Sequence, residues 1–257
     1  MRILLPPSET KRNGEHAPAL ALAALTAPAL EPQRDQVVRA LIACCATPTP
    51  RVRAAIGITA RQDAELSRNV ALLHAPTSPA HDIYTGVLFD ALAFHTRTPS
   101  VRRRLAERVI VQSALFGVVG FDDAIPAYRL SAGSTLPGIG GMAAYWRAHL
   151  PAAMDALLAE HLVVDMRSGV YASMWQAPAE QAGNVVVIKV MQVRGGRRLA
   201  VSHANKATKG HLAAALCATE AQPRTPKALA GLLERRGFDV RLIGASGQPW
   251  TLEVLAD

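Results

Sequence analysis

An α+β fold, a mixed β-sheet surrounded by helices, follows from three features of the chain. Short Val-rich stretches such as 185–193 have strand character, and stretches such as 141–160 have helical periodicity. The two kinds are interleaved without a regular strand–helix–strand series, which disfavours a doubly wound parallel sheet. Hydrophobic residues make up 50% of the 257, enough for a sizeable core, and the length suits a single domain over 1–257.

The elements can be taken in order. Met1-Arg2-Ile3-Leu4-Leu5 is a short buried strand, ended by Pro6 and Pro7. Ser8-Glu9-Thr10-Lys11 is a polar loop, and a loop at the end of a buried strand is a usual place for binding groups. Residues 33–45 and 60–73 read as helices, separated by the break Thr47-Pro48-Thr49-Pro50. Pro76 and Pro79 mark a loop, and His81-Asp82-Ile83-Tyr84-Thr85-Gly86 leads into an apolar helix over 87–94. Ser100 is the expected cap of the next helix. Val101, Leu105 and Val109 lie on its apolar face, with Arg102, Arg103, Arg104 and Arg108 around it; a solvated face is expected for 102–104. Residues 141–160 form one further amphipathic helix.

In the second half, 162–166 and 185–193 are strands, Arg194-Gly195-Gly196-Arg197 is a turn, and 199–202 returns as its hairpin partner. Residues 211–221 are helical. Thr225 caps a helix that starts with Pro226 and is ended by Gly237. The segments 239–243 and 251–255 form a last pair of strands.

The charge balance is +8, from 28 Lys and Arg against 20 Asp and Glu. Such a surplus favours a polyanionic partner, whether nucleic acid, nucleotides or anionic lipid, against the alternative of a solvated Arg-rich surface. Cys44, Cys45 and Cys217 are odd in number and form no CxxC, so neither a disulfide framework nor a structural zinc site is expected, and a reducing, cytoplasmic location fits. The apolar segment 17–30 is interrupted by Pro18 and Pro28 and preceded by a strand, unlike a signal peptide. No apolar run approaches the ~20 residues of a membrane span, so no membrane partner is expected. A monomer is expected. The eight His are scattered, without HxH or HxxxH spacing, and no metal site is expected. With no GxGxxG or Walker loop, no cofactor is expected.

Several blocks, from the first residue to about Ala215, carry a resemblance. They are Pro7-Ser8-Glu9-Thr10-Lys11 after the first strand; Asp82-Ile83-Tyr84-Thr85-Gly86; Ser113-Ala114-Leu115-Phe116-Gly117-Val118-Val119 with Pro126-Ala127-Tyr128-Arg129-Leu130; Tyr145-Trp146; Val163-Val164-Asp165 with Ser168 and Tyr171; and Asn205-Lys206 with Lys209-Gly210. In order and spacing they resemble the YaaA peroxide-stress family, also called DUF328 or UPF0246, a bacterial family. Two positions differ: Glu9 stands where the family often has a lysine, and its lysine pair is here Lys206-Ala207. The resemblance implies a family-specific mixed α+β fold, affinity for duplex DNA, and protection of DNA during peroxide stress.

Leu136-Pro137-Gly138-Ile139-Gly140, ahead of a helix, resembles the hairpin of a helix-hairpin-helix element. Gly138 and Gly140 would let backbone N–H groups point at a DNA phosphate; the alternative is an ordinary Gly-rich turn. The preceding Ser131-Ala132-Gly133-Ser134-Thr135 is poor helix material. Lys206, Lys209 and Gly210, with His203 nearby, lie just before the expected helix and suit phosphate binding, with Arg129 and Arg167 adding charge. The first functional expectation is thus a duplex-DNA binder with a basic cleft and no strong sequence preference. The second is an enzyme acting on a nucleotide, nucleobase or damaged base in that cleft. There Asp165 or Glu9 would be the acid–base group, with Tyr84, Tyr171, Lys11 and Ser8 assisting.

Overall fold

The computed structural model describes residues 1–257 except 16–18, 196, 201–204, 245–246 and 257; the side chains of 194 and 197 also lie outside the description. Eight strands form the main sheet: β1 (Arg2–Leu5), β2 (Val109–Ser113), β3 (Gly117–Gly120), β4 (Val163–Asp165), β5 (Val185–Arg194), β6 (Arg197–Ala200), β7 (Val240–Ile243) and β8 (Trp250–Leu255). Their order is β7-β8-β5-β4-β1-β2-β3, with β6 on the outer half of β5. The inner pairs β2–β1, β1–β4, β4–β5 and β5–β8 are parallel. The hairpins β2–β3, β5–β6 and β7–β8 are antiparallel. This is the mixed sheet that the irregular succession of elements implies.

Burial on both faces explains why β1 and the start of β2 read as apolar runs rather than alternating ones. All five residues of β2 are buried, as are Ile3, Leu4 and Leu5 of β1. Each such side chain contributes roughly 1.5–3 kcal/mol relative to exposure. One apolar cluster runs from Met1, just before β1, to Val254 in β8.

Local chemistry sets the element ends, and several differ from the sequence reading. The expected break lies between the helix Glu31–Cys45 and a further helix not expected, Pro50–Ile56: Thr49 accepts from the Val52 N–H at 3.2 Å and Pro50 takes the first turn. Residues 60–73 divide into a 3₁₀ turn, Ala60–Gln62, and a helix, Ala64–Val70. Thr98, not Ser100, stands at the cap of Pro99–Arg108, and Val109 leaves that helix to begin β2. The β2–β3 hairpin was not legible as such. Pro151 divides the expected long helix into Met142–His149 and Pro151–Leu158. The helix expected from 211 begins at Asn205 and ends at Cys217. Thr225 caps Pro226–Glu234 as expected, accepting from Ala228 N–H at 3.2 Å. Part of the expected 199–202 return strand, and His203, fall outside the described residues.

Buried arginines tie the layers together. Arg34 donates to the carbonyls of Phe116 (3.0 Å), Val118 (2.9 Å) and Thr26 (2.5 Å), fixing the helix Glu31–Cys45 against β3. Arg104 and Arg108, expected on a polar face, are buried instead. Arg104 donates to Cys217 O at 2.7 Å and Arg108 to Leu216 O at 2.8 Å and Thr219 O at 3.0 Å. They satisfy the last carbonyls of Asn205–Cys217 and complement its dipole.

The Leu136–Gly140 turn closes a two-stranded ribbon in which Thr135 and Leu136 pair with Gly141 and Gly140. A helix follows it, but residues 131–134 before it are turn and coil. The element is a β-hairpin leading into a helix.

Candidate functional site

The carboxyl ends of β1, β2 and β4 emerge side by side, with Leu4 opposite Asp165 and Leu5 opposite Val111. That end of a parallel set is where α/β sheets usually bind ligands, and the loops leaving it collect the polar groups. In the loop after β1, Lys11 bridges to Tyr84, and Arg12 N–H donates to Ile83 O at 2.9 Å. Lys11 Nζ donates to Ser8 O at 2.8 Å and stands 4.1 Å from the Tyr128 ring centroid and 5.5 Å from that of Tyr84. The Tyr84 and Tyr128 hydroxyls share a hydrogen bond of 2.9 Å, and Ser113, the last residue of β2, continues the chain to Tyr128 at 2.8 Å. Burial holds both phenols above their ordinary pKa. Burial pushes the Lys11 amine down to about 7; Glu9 opposes this and Arg129 adds to it.

Arg129 pairs with Glu9, Nη1 to Oε2 at 2.7 Å. Its backbone is held in both directions by buried Asn69, each bond 2.8 Å. The Arg129 Nε is buried and has no hydrogen-bond partner among the described residues. Tyr171 is buried; its hydroxyl accepts from Ala132 N–H at 3.3 Å, and burial raises its pKa.

A second cluster lies across β1. Arg167 clasps Asp165 with two bonds, Nε to Oδ1 at 2.9 Å and Nη2 to Oδ2 at 2.8 Å. It also donates to Gln112 Oε1 at 2.9 Å and Trp175 O at 3.0 Å. Lys209 is buried and within the field of Asp165; burial lowers its pKa and Asp165 opposes that. Asp165 and Arg167 line a recess of about 550 Å³ with Trp175, Val185 and Val187. Arg167 Nη1 reaches Tyr171 O at 3.5 Å, and the Tyr171 phenol feels Tyr128, Glu9 and Arg129, so Tyr171 links the two clusters.

The predicted residues thus divide. Ser8, Lys11, Tyr84 and Arg129 share the first neighbourhood. Exposed Lys206 joins it: with Ser8, Glu9, Thr10, Thr85 and Phe89 it lines a cavity of about 340 Å³. Asp165, Arg167 and Lys209 form the second cluster. Gly210 lies inside the helix Asn205–Cys217, where its Cα faces the Leu88 carbonyl of the helix Val87–Leu92. Gly138 and Gly140 have positive φ and sit on the exposed hairpin. The first N–H groups of the helix after it, those of Met142 and Ala143, donate to Ser134 and Ala132 carbonyls at 2.9 and 3.2 Å. Sequence reasoning missed Asn69 and Gln112, because a lone amide carries no pattern.

It also expected no metal ligands, yet the fold brings His81, Asp82 and His95 together, their ligand atoms all within 4.8 Å. Left-handed Ala93 (φ 55°) turns the chain after Val87–Leu92 and returns His95 to the pair. The spacing is set by that turn, not by a helix period, so no motif announced it.

Residues 1–241 match a family described as peroxide stress protein YaaA. A UPF0246 protein of Streptomyces coelicolor is 37% identical over 257 residues, covering 99% of this chain and 98% of that protein. A UPF0246 protein of Corynebacterium efficiens is 38% identical over 259 residues, covering 99% and 100%. One from Corynebacterium glutamicum strain R is 36% identical over 244 residues, covering 93% and 94%.

Proposed function

Because the chain belongs to the YaaA peroxide stress protein family, we propose that it serves the oxidative-stress response by binding duplex DNA without strong sequence preference. The carrying observation is the cavity of about 340 Å³ where the Ser8–Thr10 loop, the Thr85-Gly86 turn and Lys206 meet. Three segments far apart in the chain place an exposed ammonium over a recess of the size that takes one nucleotide unit. Nearby, the buried Nε of Arg129 is an unused donor. Gly138 and Gly140 add exposed backbone at the hairpin tip. Lys209, Arg167 and Gly210 act from inside: Arg167 is paired with Asp165, Lys209 is buried within the field of the same carboxylate, and Gly210 seats the helix that carries Lys206. No helix among the described residues is long and apolar enough to cross a membrane.

Phosphate contacts make affinity fall with salt. Fluorescence anisotropy on a mixed-sequence duplex is expected to give a linear fall of log K with log salt. Lys206→Ala is expected to weaken binding equally for all sequences and to reduce the slope by about 0.9, one phosphate. Lys209→Ala is expected to leave the slope unchanged. Affinity insensitive to salt would overturn the proposal.

A second reading is favoured by Lys11: the same cleft as an enzyme site for a nucleotide, nucleobase or damaged base. Phosphate gripping does not need an amine held at about 7 against two phenols. At neutral pH roughly half of the Lys11 amines are free base, ready as base or nucleophile. The Ser8 carbonyl orients Lys11 over the Tyr84 and Tyr128 rings, and the Tyr84–Tyr128–Ser113 hydroxyl chain holds those rings in place. Asp165 in this reading anchors Arg167 and Lys209, since Arg167 holds both its oxygens.

Between pH 7 and 10.5 an unfolded lysine keeps the proton that Lys11 has lost in the fold. The unfolded chain therefore binds more protons there, and the Lys11 contribution to stability rises with pH across that window. Reductive ¹³C-methylation followed by NMR is expected to show one dimethyl-lysine titrating near pH 7 and missing from Lys11→Arg. If every lysine titrates near 10, the enzyme reading fails while the DNA proposal stands.

A further inference from the structure

We infer that His81, Asp82 and His95 form a binding site for one divalent first-row transition ion, separate from the Lys206 cavity. His81 Nδ1 lies 3.0 Å and His95 Nε2 2.9 Å from the same oxygen, Oδ1 of Asp82. Bonds of about 2.1 Å at right angles separate neighbouring ligand atoms by about 3.0 Å, which both distances match, and the three ligand atoms all lie within 4.8 Å of one another. The cation replaces the protons that these hydrogen bonds now use.

The surroundings suit that role. The His81 ring stacks on Phe94 at 3.9 Å between centroids and meets Phe121 at 5.6 Å, which fixes its plane. Its other nitrogen, Nε2, faces Asp122 Oδ1 at 3.4 Å. A carboxylate behind a ligating imidazole sets the tautomer and strengthens the ligand. Backbone bonds hold the segment: Ala80 N–H to Asp123 O at 2.9 Å and His81 N–H to Phe121 O at 3.0 Å. The three groups open on a cavity of about 340 Å³, lined also by Arg12 and Asp90. The remaining coordination positions are thus reachable by water or a small anion, which Arg12 would attract. Two imidazoles and one carboxylate favour zinc or cobalt over magnesium or calcium, which prefer all-oxygen sites. Asp82 belongs to the same Asp-Ile-Tyr-Thr-Gly segment that carries Tyr84 into the cleft, so one short segment serves both places.

The probe is Co²⁺, added to untagged, metal-stripped full-length protein and followed by visible absorption and calorimetry. The expected result is one ion per chain with d–d bands of nitrogen–oxygen coordination, displaced by Zn²⁺ and not by Mg²⁺. His95→Gln, at an exposed turn, is expected to weaken binding by roughly a hundredfold, and Asp122→Asn by roughly tenfold. Circular dichroism confirms that each variant is folded. Binding unchanged in His95→Gln, thiolate charge-transfer bands pointing to the cysteines, or no stoichiometric binding would each overturn the inference.

Discussion

Asp165→Ala is expected to be the most destabilising substitution at the strand ends, by roughly 3–5 kcal/mol, because it leaves uncompensated buried charge. Asp165 stands between two cations: Arg167, which it binds through both oxygens, and Lys209 on the facing helix. Arg167 would keep Gln112 and the Trp175 carbonyl as partners, but nothing negative. For a chain of this size the loss corresponds to roughly 6–20 °C in melting temperature, readable by calorimetry. Adding Lys209→Met to Asp165→Ala is expected to recover part of it. Two residues in one charge cluster couple by roughly 0.5–3 kcal/mol, whereas strict additivity would show that Lys209 is independent of Asp165.

Gly210→Ala is expected to cost roughly 1–3 kcal/mol, the range for overpacking a tight contact. A β-carbon there would meet the Leu88 carbonyl oxygen at 2.2 Å and the Ala91 β-carbon at 2.8 Å. The obstacle is backbone, so no rotamer change relieves it, and the helices Asn205–Cys217 and Val87–Leu92 must part. Thermal melting measures the loss, roughly 2–12 °C. DNA affinity of the folded variant then separates two roles: a packing glycine leaves the salt slope unchanged, whereas a phosphate-contacting one lowers it.

The strands were legible where burial wrote apolar runs into β1 and β4 and where valines crowd β5, and the last helix where Thr225 and Pro226 wrote its start. The β2–β3 hairpin was not, because Val109-Ile110-Val111 follows the Pro99–Arg108 helix without a breaker and its first residue fits that helix's apolar spacing. Nor was the fate of the arginines. Arg34, Arg104, Arg108 and Arg167 are buried and bonded to carbonyls or to Asp165. The surplus of +8 therefore overstates the field that a polyanion meets. The blocks singled out the Ser8-to-Lys11 loop, Tyr84 and Lys206, which the fold brings into one neighbourhood. What the sequence could not show is which cations are free: Lys209 and Arg167 read like Lys206 until the fold puts Asp165 beside them. His81, Asp82 and His95 stayed hidden for a related reason, since one left-handed alanine decides that they meet.

The two arginines on the Cys217 end of the Lys206 helix have a consequence for speed of capture. Clamped at its last turn and seated at its middle against a neighbouring carbonyl, that helix resists sliding and rolling. A polyanion docking there as proposed would restrict little more than the rotamers of one lysine, roughly 1–2 kcal/mol.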